Sequence, residues 1–229
     1  MKISVVIPVI NEFNKIRQSV SLAWQAGADE VVVVDGGSTD RTRELASDMD
    51  CVFEESDSGR AVQMNRGAEV AIGDVLLFLH ADNSLAAGAC DQIRELFQTT
   101  EHQFGGFRQK IQNQSTVFRW IESGNQTRLL RQGLIYGDQA MFINRELFQQ
   151  VGGFPEIELM EDFAFSRSLR GLKGLGKPAL LNGPTLVSAR RWERNGCFRQ
   201  TLLNWSLAFA FRMGAPPAWI ARQYRRHDK

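Results

Sequence analysis

Short apolar runs alternate with amphipathic stretches along the first part of the chain. Runs at 3–9 (ISVVIPV), 31–35 (VVVVD), 51–54 (CVFE) and 75–82 (VLLFLHAD) are β-branched or continuously apolar and end in polar residues. Such runs suit strands buried on both faces of a largely parallel sheet. Between them, Ile16, Val20, Ala23 and Trp24 share one helical face, which Gly27 stops. Asp40 or Thr39 caps a second helix that runs through Leu45, and a third spans 60–71 before Gly73-Asp74. A fourth is expected at 87–97. This succession predicts a doubly wound α/β sheet.

The pattern then changes character. Residues 107–111 read as an exposed strand, 116–130 as a helix, 140–143 as a strand and 161–169 as a helix with an acidic start. Two basic, Trp-rich helices are expected at 198–211 and 218–225. There is no internal repeat, no low-complexity segment and no linker long enough to separate two domains.

Composition excludes several classes. At 229 residues, 43% hydrophobic and 23% charged, the chain has enough material for a real core. It is neither a disordered tail nor a disulfide scaffold. Cys51, Cys90 and Cys197 are odd in number and far apart, and read as reduced, mostly buried thiols. Lys2, the run at 3–10 and Ala26-Gly27-Ala28 imitate a signal peptide. Asn11, Glu12, Lys15 and Arg17 separate that run from any cleavage site, so it is read as part of the fold. No run reaches the ~20 apolar residues needed to cross a bilayer.

The net charge of +1 hides an uneven distribution. Residues 190–229 hold nine Arg or Lys against two acids, leaving 18 basic and 24 acidic side chains in 1–189. A basic tail on an acidic body is expected to face an anionic partner.

In open α/β sheets ligands sit beyond the carboxyl ends of the strands. There the sequence places Asn11-Glu12, then Asp35-Gly36-Gly37-Ser38-Thr39-Asp40, then His80-Ala81-Asp82. Carboxylates at those ends can accept hydrogen bonds from a base or ribose, or hold a divalent cation that carries phosphates. The glycines after Asp35 let backbone approach a ligand. The same loop also reads as a tight turn capping the next helix.

SVVIPVINE, VVVVDGGSTDRT and LLFLHADN, in this order and spacing, resemble the family 2 glycosyltransferases of the GT-A fold. The resemblance covers about residues 1–195. More narrowly, GRAVQMNRGAEVAIGDVLLFLHADN, YGDQAMF, GGFPEIELMEDFAFSRSLR and SARRWERNG resemble a bacterial subgroup of selenodomain-associated transferases. The fold this implies is α/β and GT-A-type: a Rossmann-like, mostly parallel mixed sheet flanked by helices, with a C-terminal helical appendage. The nucleotide-binding half would be about 1–100, the acceptor half about 101–195, and the basic, aromatic-rich tail 196–229.

The resemblance implies sugar transfer from a nucleotide-diphosphate sugar to an acceptor, with inversion and with Mn or Mg as cofactor. Asp35 would contact the base or ribose, framed by Pro8, Asn11, Glu12 and Gly37. Arg60 would reach the base or diphosphate, and Arg190 or Arg191 would neutralise the diphosphate. Asp82 would match the second acid of the family's Asp-x-Asp motif and bind the metal. His80 stands where the first acid is usual, with Ala81 between; imidazole can ligate Mn or bond a ribose hydroxyl. Glu161-Asp162 resembles the family's acidic pair, with Asp162 as the base that accepts the acceptor hydroxyl's proton. Read without the resemblance, the pair is an ordinary acidic helix start. Tyr136, Asp138 and Gln139 are expected to line the acceptor or sugar pocket, although they also read as a polar turn. Trp192 is placed on the acceptor side, and Arg191-Trp192 lacks the preceding Gln of processive relatives, Ser188 standing there instead.

Two motifs are set aside. Asp48-Met49-Asp50 is a literal Asp-x-Asp, but it ends a helical pattern where carboxylates face solvent. Gly171 to Lys177 imitates a phosphate loop, yet Pro178 replaces the Ser or Thr that would bind Mg. That segment is expected to end a helix and lead into an edge strand.

In the tail, Trp205, Phe209, Phe211, Trp219 and Tyr224 mix with Arg212, Arg222, Arg225 and Arg226. This suits an interface with anionic lipid, and equally a helical pair packed on the core or on a second subunit. The acceptor is then expected to be hydrophobic or lipid-like, and nucleic acid is an unlikely partner. The location expected is cytoplasmic, peripheral on the inner membrane face if the tail binds lipid. The rival to catalysis is a membrane-peripheral nucleotide-sugar-binding protein on a degenerate GT-A scaffold.

Overall fold

Val5, Val6 and Ile7 on one run and Val31 to Val34 on the next are fully buried, as continuous apolar strands require. Burying each such side chain stabilises the fold by about 1.5–3 kcal/mol. The computed structural model describes residues 1–226, with side chains to Tyr224. Among these, the strands are β1 (Ile3–Val9), β2 (Glu30–Asp35), β3 (Val52–Glu55), β4 (Val75–Phe78), β5 (Asn83–Leu85), β6 (Phe104–Ile111), β7 (Phe142–Asn144) and β8 (Ala179–Val187). The helices are α1 (Ile16–Gln25), α2 (Thr42–Ser47), α3 (Arg60–Val70), α4 (Ala89–Thr99) and α5 (Thr116–Gln132) in the first part. They continue as α6 (Arg145–Val151), α7 (Glu161–Gly171), α8 (Arg190–Asn195), α9 (Cys197–Arg212) and α10 (Pro217–Arg226).

The strands form one mixed sheet in the order β3-β2-β1-β4-β7-β6-β8-β5. β3, β2, β1 and β4 are mutually parallel, while β7 lies antiparallel between β4 and β6. One continuous sheet therefore runs through both halves of the chain, joined at β4 and β7.

Apolar clusters form on the two sheet faces. Ile16, Val20, Ala23, Cys90 and Ile93 pack on one. Met64, Ala68, Leu147, Phe165 and Leu169 pack on the other. Gly67 lets α3 lie directly on the sheet, since a β-carbon there would collide with Val6 and stand 3.1 Å from Val34. Phe78, Phe148, Phe154 and Phe165 make an aromatic cluster with centroids 4.7–5.4 Å apart, which fixes the segment leading to α7.

Three expectations are corrected. β3 is a partly exposed edge strand, not one buried on both faces, because only β2 pairs with it. β6 is largely buried, lying between β7 and β8. β8, expected at an edge, is flanked by β6 and covered in part by β5. Its Gly183 and Pro184 fall where the register with β6 shifts between Phe107 and Gln109. The cysteines are free thiols; Cys90 is buried, and Cys51 and Cys197 are partly so.

Candidate active site

The loops that leave β1 and β2 meet, as the sheet rule requires. Asp35 closes β2 and is 1% exposed. Its Oδ2 accepts the N–H groups of Gly37 and Ser38 at 2.9 and 2.8 Å, and its Oδ1 accepts from the Ser38 hydroxyl. The carboxylate expected at a base or ribose is thus engaged in shaping its own turn. Asn11, in the left-handed region at φ 55°, ties that turn to the loop after β1. Its Oδ1 accepts the Thr39 N–H at 2.8 Å, and its own N–H donates to Ser38 Oγ at 2.8 Å. Glu12 pairs with Lys15 at 3.2 Å, and Pro8, near the end of β1, is partly exposed. Gly37 sits at φ 93° with open space around it.

Arg60 opens α3 after Gly59 and projects across to the other half of the chain. Its Nη1 lies 3.2 Å from Oε1 of Glu161, whose side chain is 2% exposed. Burial pushes the Glu161 carboxyl above the ordinary range and Arg60 opposes that shift.

His80 follows β4 and is packed against Gly137, whose β-carbon, if present, would collide with the imidazole Cε1 and stand 2.5 Å from Nε2. Burial pushes the imidazole down to about 3, with Arg60 adding to the shift and Asp82 opposing it, so the ring is neutral. Ala81 is buried, its carbonyl accepting from Ser19 Oγ at 2.8 Å, while Asp82 is exposed.

Gly137 belongs to a 3-10 turn, Gly137–Gln139, that precedes β7. Its N–H donates to Asp162 Oδ2 at 2.6 Å, and the Phe163 N–H donates to Asp162 Oδ1 at 2.6 Å. Both oxygens of the candidate base are therefore oriented by backbone. Met160, at φ 71°, turns the chain into α7 so that Glu161 points inward.

Asp138 Oδ2 accepts from Gln109 Nε2 at 2.6 Å, and its Oδ1 is buried without a partner. Burial pushes this carboxyl up to about 6; Arg128 opposes the shift, and Asp162 and Asp82 add to it. A chain of polar groups supports the turn: Arg128 donates to Asn125 at 2.9 Å and to Gln139 Oε1 at 2.8 Å, and Asn125 donates to Gln109 Oε1 at 2.5 Å. The Arg128 guanidinium also lies 3.4 Å from the Tyr136 ring centroid.

Comparison with known proteins decides what this arrangement belongs to. The profile of the family described as "Glycosyl transferase family 2" matches residues 4–152. The chain belongs to glycosyl transferase family 2. It is a glycosyltransferase on that ground. A PGL/p-HBAD biosynthesis glycosyltransferase of Mycobacterium bovis is 29% identical over 212 residues, covering 88% of this chain and 80% of that protein. S. aureus TarS 1-349 has the same fold, with TM-score 0.67 at 16% identity over 83% of this chain. So does the mannosyltransferase PcManGT of Pyrobaculum calidifontis, solved with GDP-Man and Mn2+, with TM-score 0.64 at 20% identity over 95% of this chain. The matches span 61% of the TarS chain and 66% of PcManGT.

Whether a divalent cation suits this family member follows from its donors. Among the described residues, no three His, Cys, Asp or Glu side chains are gathered closely enough to cage a metal. Asp82, with neutral His80 nearby, makes an incomplete set of hard and borderline donors. It fits an ion that brings water and phosphate oxygens as its remaining ligands.

Other expected residues lie elsewhere. The Arg191 guanidinium stacks 4.7 Å from the Tyr224 ring centroid and so joins α8 to α10. Trp192 is buried edge-on to Phe118 at 6.1 Å, with its indole N–H donating to Thr201 Oγ1 at 3.2 Å. It anchors the tail. Asp48 and Asp50 are exposed beyond α2, and Gly171 to Lys177 end α7 and lead into β8.

No motif points to Gln63. Its Nε2 donates to the carbonyls of Val9 and Val34 at 2.7 and 2.8 Å and clamps the ends of β1 and β2 together. Gly36 leaves room for that amide, which a β-carbon would meet at 2.7 Å.

Proposed function

We propose that the protein transfers a sugar from a nucleotide-diphosphate sugar to an acceptor hydroxyl, with inversion and with Mn or Mg as cofactor. The observation that carries this reading is Gly137, which touches His80 on the donor side and donates its N–H to Asp162 on the acceptor side. The nucleoside is framed by Pro8, Asn11, Glu12 and the Asp35–Ser38 turn. Arg60 faces the diphosphate, while Asp138 and Gln139, with buried atoms Oδ1 and Nε2 awaiting partners, receive sugar or acceptor hydroxyls.

Asp162 accepts the proton of the acceptor hydroxyl as its oxygen attacks the anomeric carbon. The new C–O bond forms opposite the diphosphate, which departs with the electron pair of the bond that breaks. At Asp82 and His80 a bound Mn or Mg would supply positive charge to the departing diphosphate.

Melting curves with UDP, GDP, CDP and dTDP, with and without Mn, test the donor side. One nucleotide should raise Tm saturably and only with Mn, and Asp82→Asn should lose that response. A flat response to all four would refute the reading. His80 in place of an acid favours the rival, a binding protein without catalysis. Donor turnover by the wild type that Asp162→Asn lacks would exclude that rival.

A further inference from the structure

α9 turns large apolar side chains outward. Phe198, Leu202, Trp205 and Phe209 recur at spacings of four, three and four residues, which puts them on one helix face. They are 81%, 67%, 63% and 64% exposed, while Gln200 and Leu207 on the other side are buried. Exposed apolar residues scattered singly are ordinary, but a continuous row marks an interaction site. Trp219 on α10 is exposed as well.

Charge identifies the occupant. Between Glu193 and Asp228 the sequence holds six arginines and no acid. Arg199 and Arg212 are exposed near the two ends of the row. A second copy seated face to face would set arginine against arginine, and α9 itself carries no acid to neutralise them. Anionic headgroups would neutralise them. Trp, Phe and Leu on one side with Arg at the borders is the composition of a helix lying in the headgroup plane.

The same helix reaches the candidate base. Phe211 lies edge-on to Phe163 at 5.4 Å between centroids, and the Arg212 guanidinium is 5.8 Å from that ring. Phe163 follows Asp162 directly. We infer that the outward face of α9 seats the protein on an anionic lipid surface and presents Asp162 to an acceptor hydroxyl carried by a membrane-resident molecule. The seat stands without the transfer reading, whereas the acceptor class rests on it.

Flotation of the full-length protein with phosphatidylcholine vesicles, with and without phosphatidylglycerol, tests the seat. The wild type should float with the anionic vesicles and be released by salt. Trp205→Ser with Phe209→Ser should weaken vesicle binding by on the order of tenfold or more. Arg199→Gln should weaken binding to the anionic vesicles only. Both variants should keep the wild-type melting temperature and its response to nucleotide. Failure of the wild type to float, or equal flotation by the double variant, would overturn the seat. So would a wild-type dimer in light scattering that the double variant converts to monomer, which would assign the face to a second copy. Intact flotation with no nucleotide response would refute the transfer reading and leave the seat standing.

Discussion

Gly137 and Asp162 are joined by a 2.6 Å hydrogen bond from the glycine N–H to the carboxylate Oδ2, and the same glycine is packed against His80. One residue without a side chain therefore sets the spacing between the end of β4 and the candidate base at the start of α7. Gly137→Ala should be more damaging than a surface change of equal size. A methyl group there must displace the imidazole, costing about 1–3 kcal/mol of stability. The expected result is a lowered Tm together with loss of the Mn-dependent nucleotide response, read in the same melting experiment.

Asp162→Asn keeps the size of the carboxylate and removes its basicity. Nucleotide binding should be unchanged while turnover falls by roughly 10²–10⁴-fold. Single-turnover transfer with saturating donor separates the two effects. Full activity in this variant would move the base elsewhere, and Asp138 would be the next carboxylate to replace.

Arg60 neutralises a carboxylate that has almost no access to water. Arg60→Gln should destabilise the fold by about 1–3 kcal/mol, because the buried Glu161 carboxyl is left without its ion-pair partner. Glu161→Gln in the same chain should recover most of that loss in urea unfolding. If Arg60 also faces the diphosphate, the double variant should regain stability without regaining nucleotide affinity.

Asp138 provides a pH signature. Burial raises its carboxyl from 3.8 to about 6, so the folded state keeps a proton that the unfolded chain releases. The stability this group lends is complete below about pH 4 and is lost as pH rises through about 6. Asp138→Asn cannot ionise. It should match the wild type at about pH 4 and exceed it above about pH 7 by on the order of 1–2 kcal/mol, measured by urea unfolding across that range.

Much of the donor half could be read before any coordinates. β1, β2 and β4 are continuous apolar runs whose polar ends coincide with strand ends, and Glu161-Asp162 begins a helix where the periodicity places one. What escaped reading depended on partners distant in the chain. β6 looks exposed because Arg108 and Lys110 alternate with apolar residues, yet its Gly105 admits β8 so closely that a β-carbon would strike the Ala179 carbonyl and stand 2.5 Å from Phe142. The three residues of β5 are too few to show a period. Gln63, Gln109, Asn125 and Arg128 belong to no motif, and only the fold turns them onto carbonyls and carboxylates. Asp35 was legible as a strand end and its loop as a tight turn, but not the hydrogen bonds by which the carboxylate itself holds that turn.

The reversed direction of β7 has a consequence for how such enzymes diversify. Because β7 runs against β4, the segment entering β7 arrives beside the segment leaving β4. The turn Gly137–Gln139, on the way into β7, therefore comes to lie beside His80, on the way out of β4. Under the transfer reading proposed above, donor loops would leave strands and acceptor loops would enter one, so the two could be exchanged separately by grafting. A graft of either loop must carry Gly137 over unchanged, because a side chain there would strike His80.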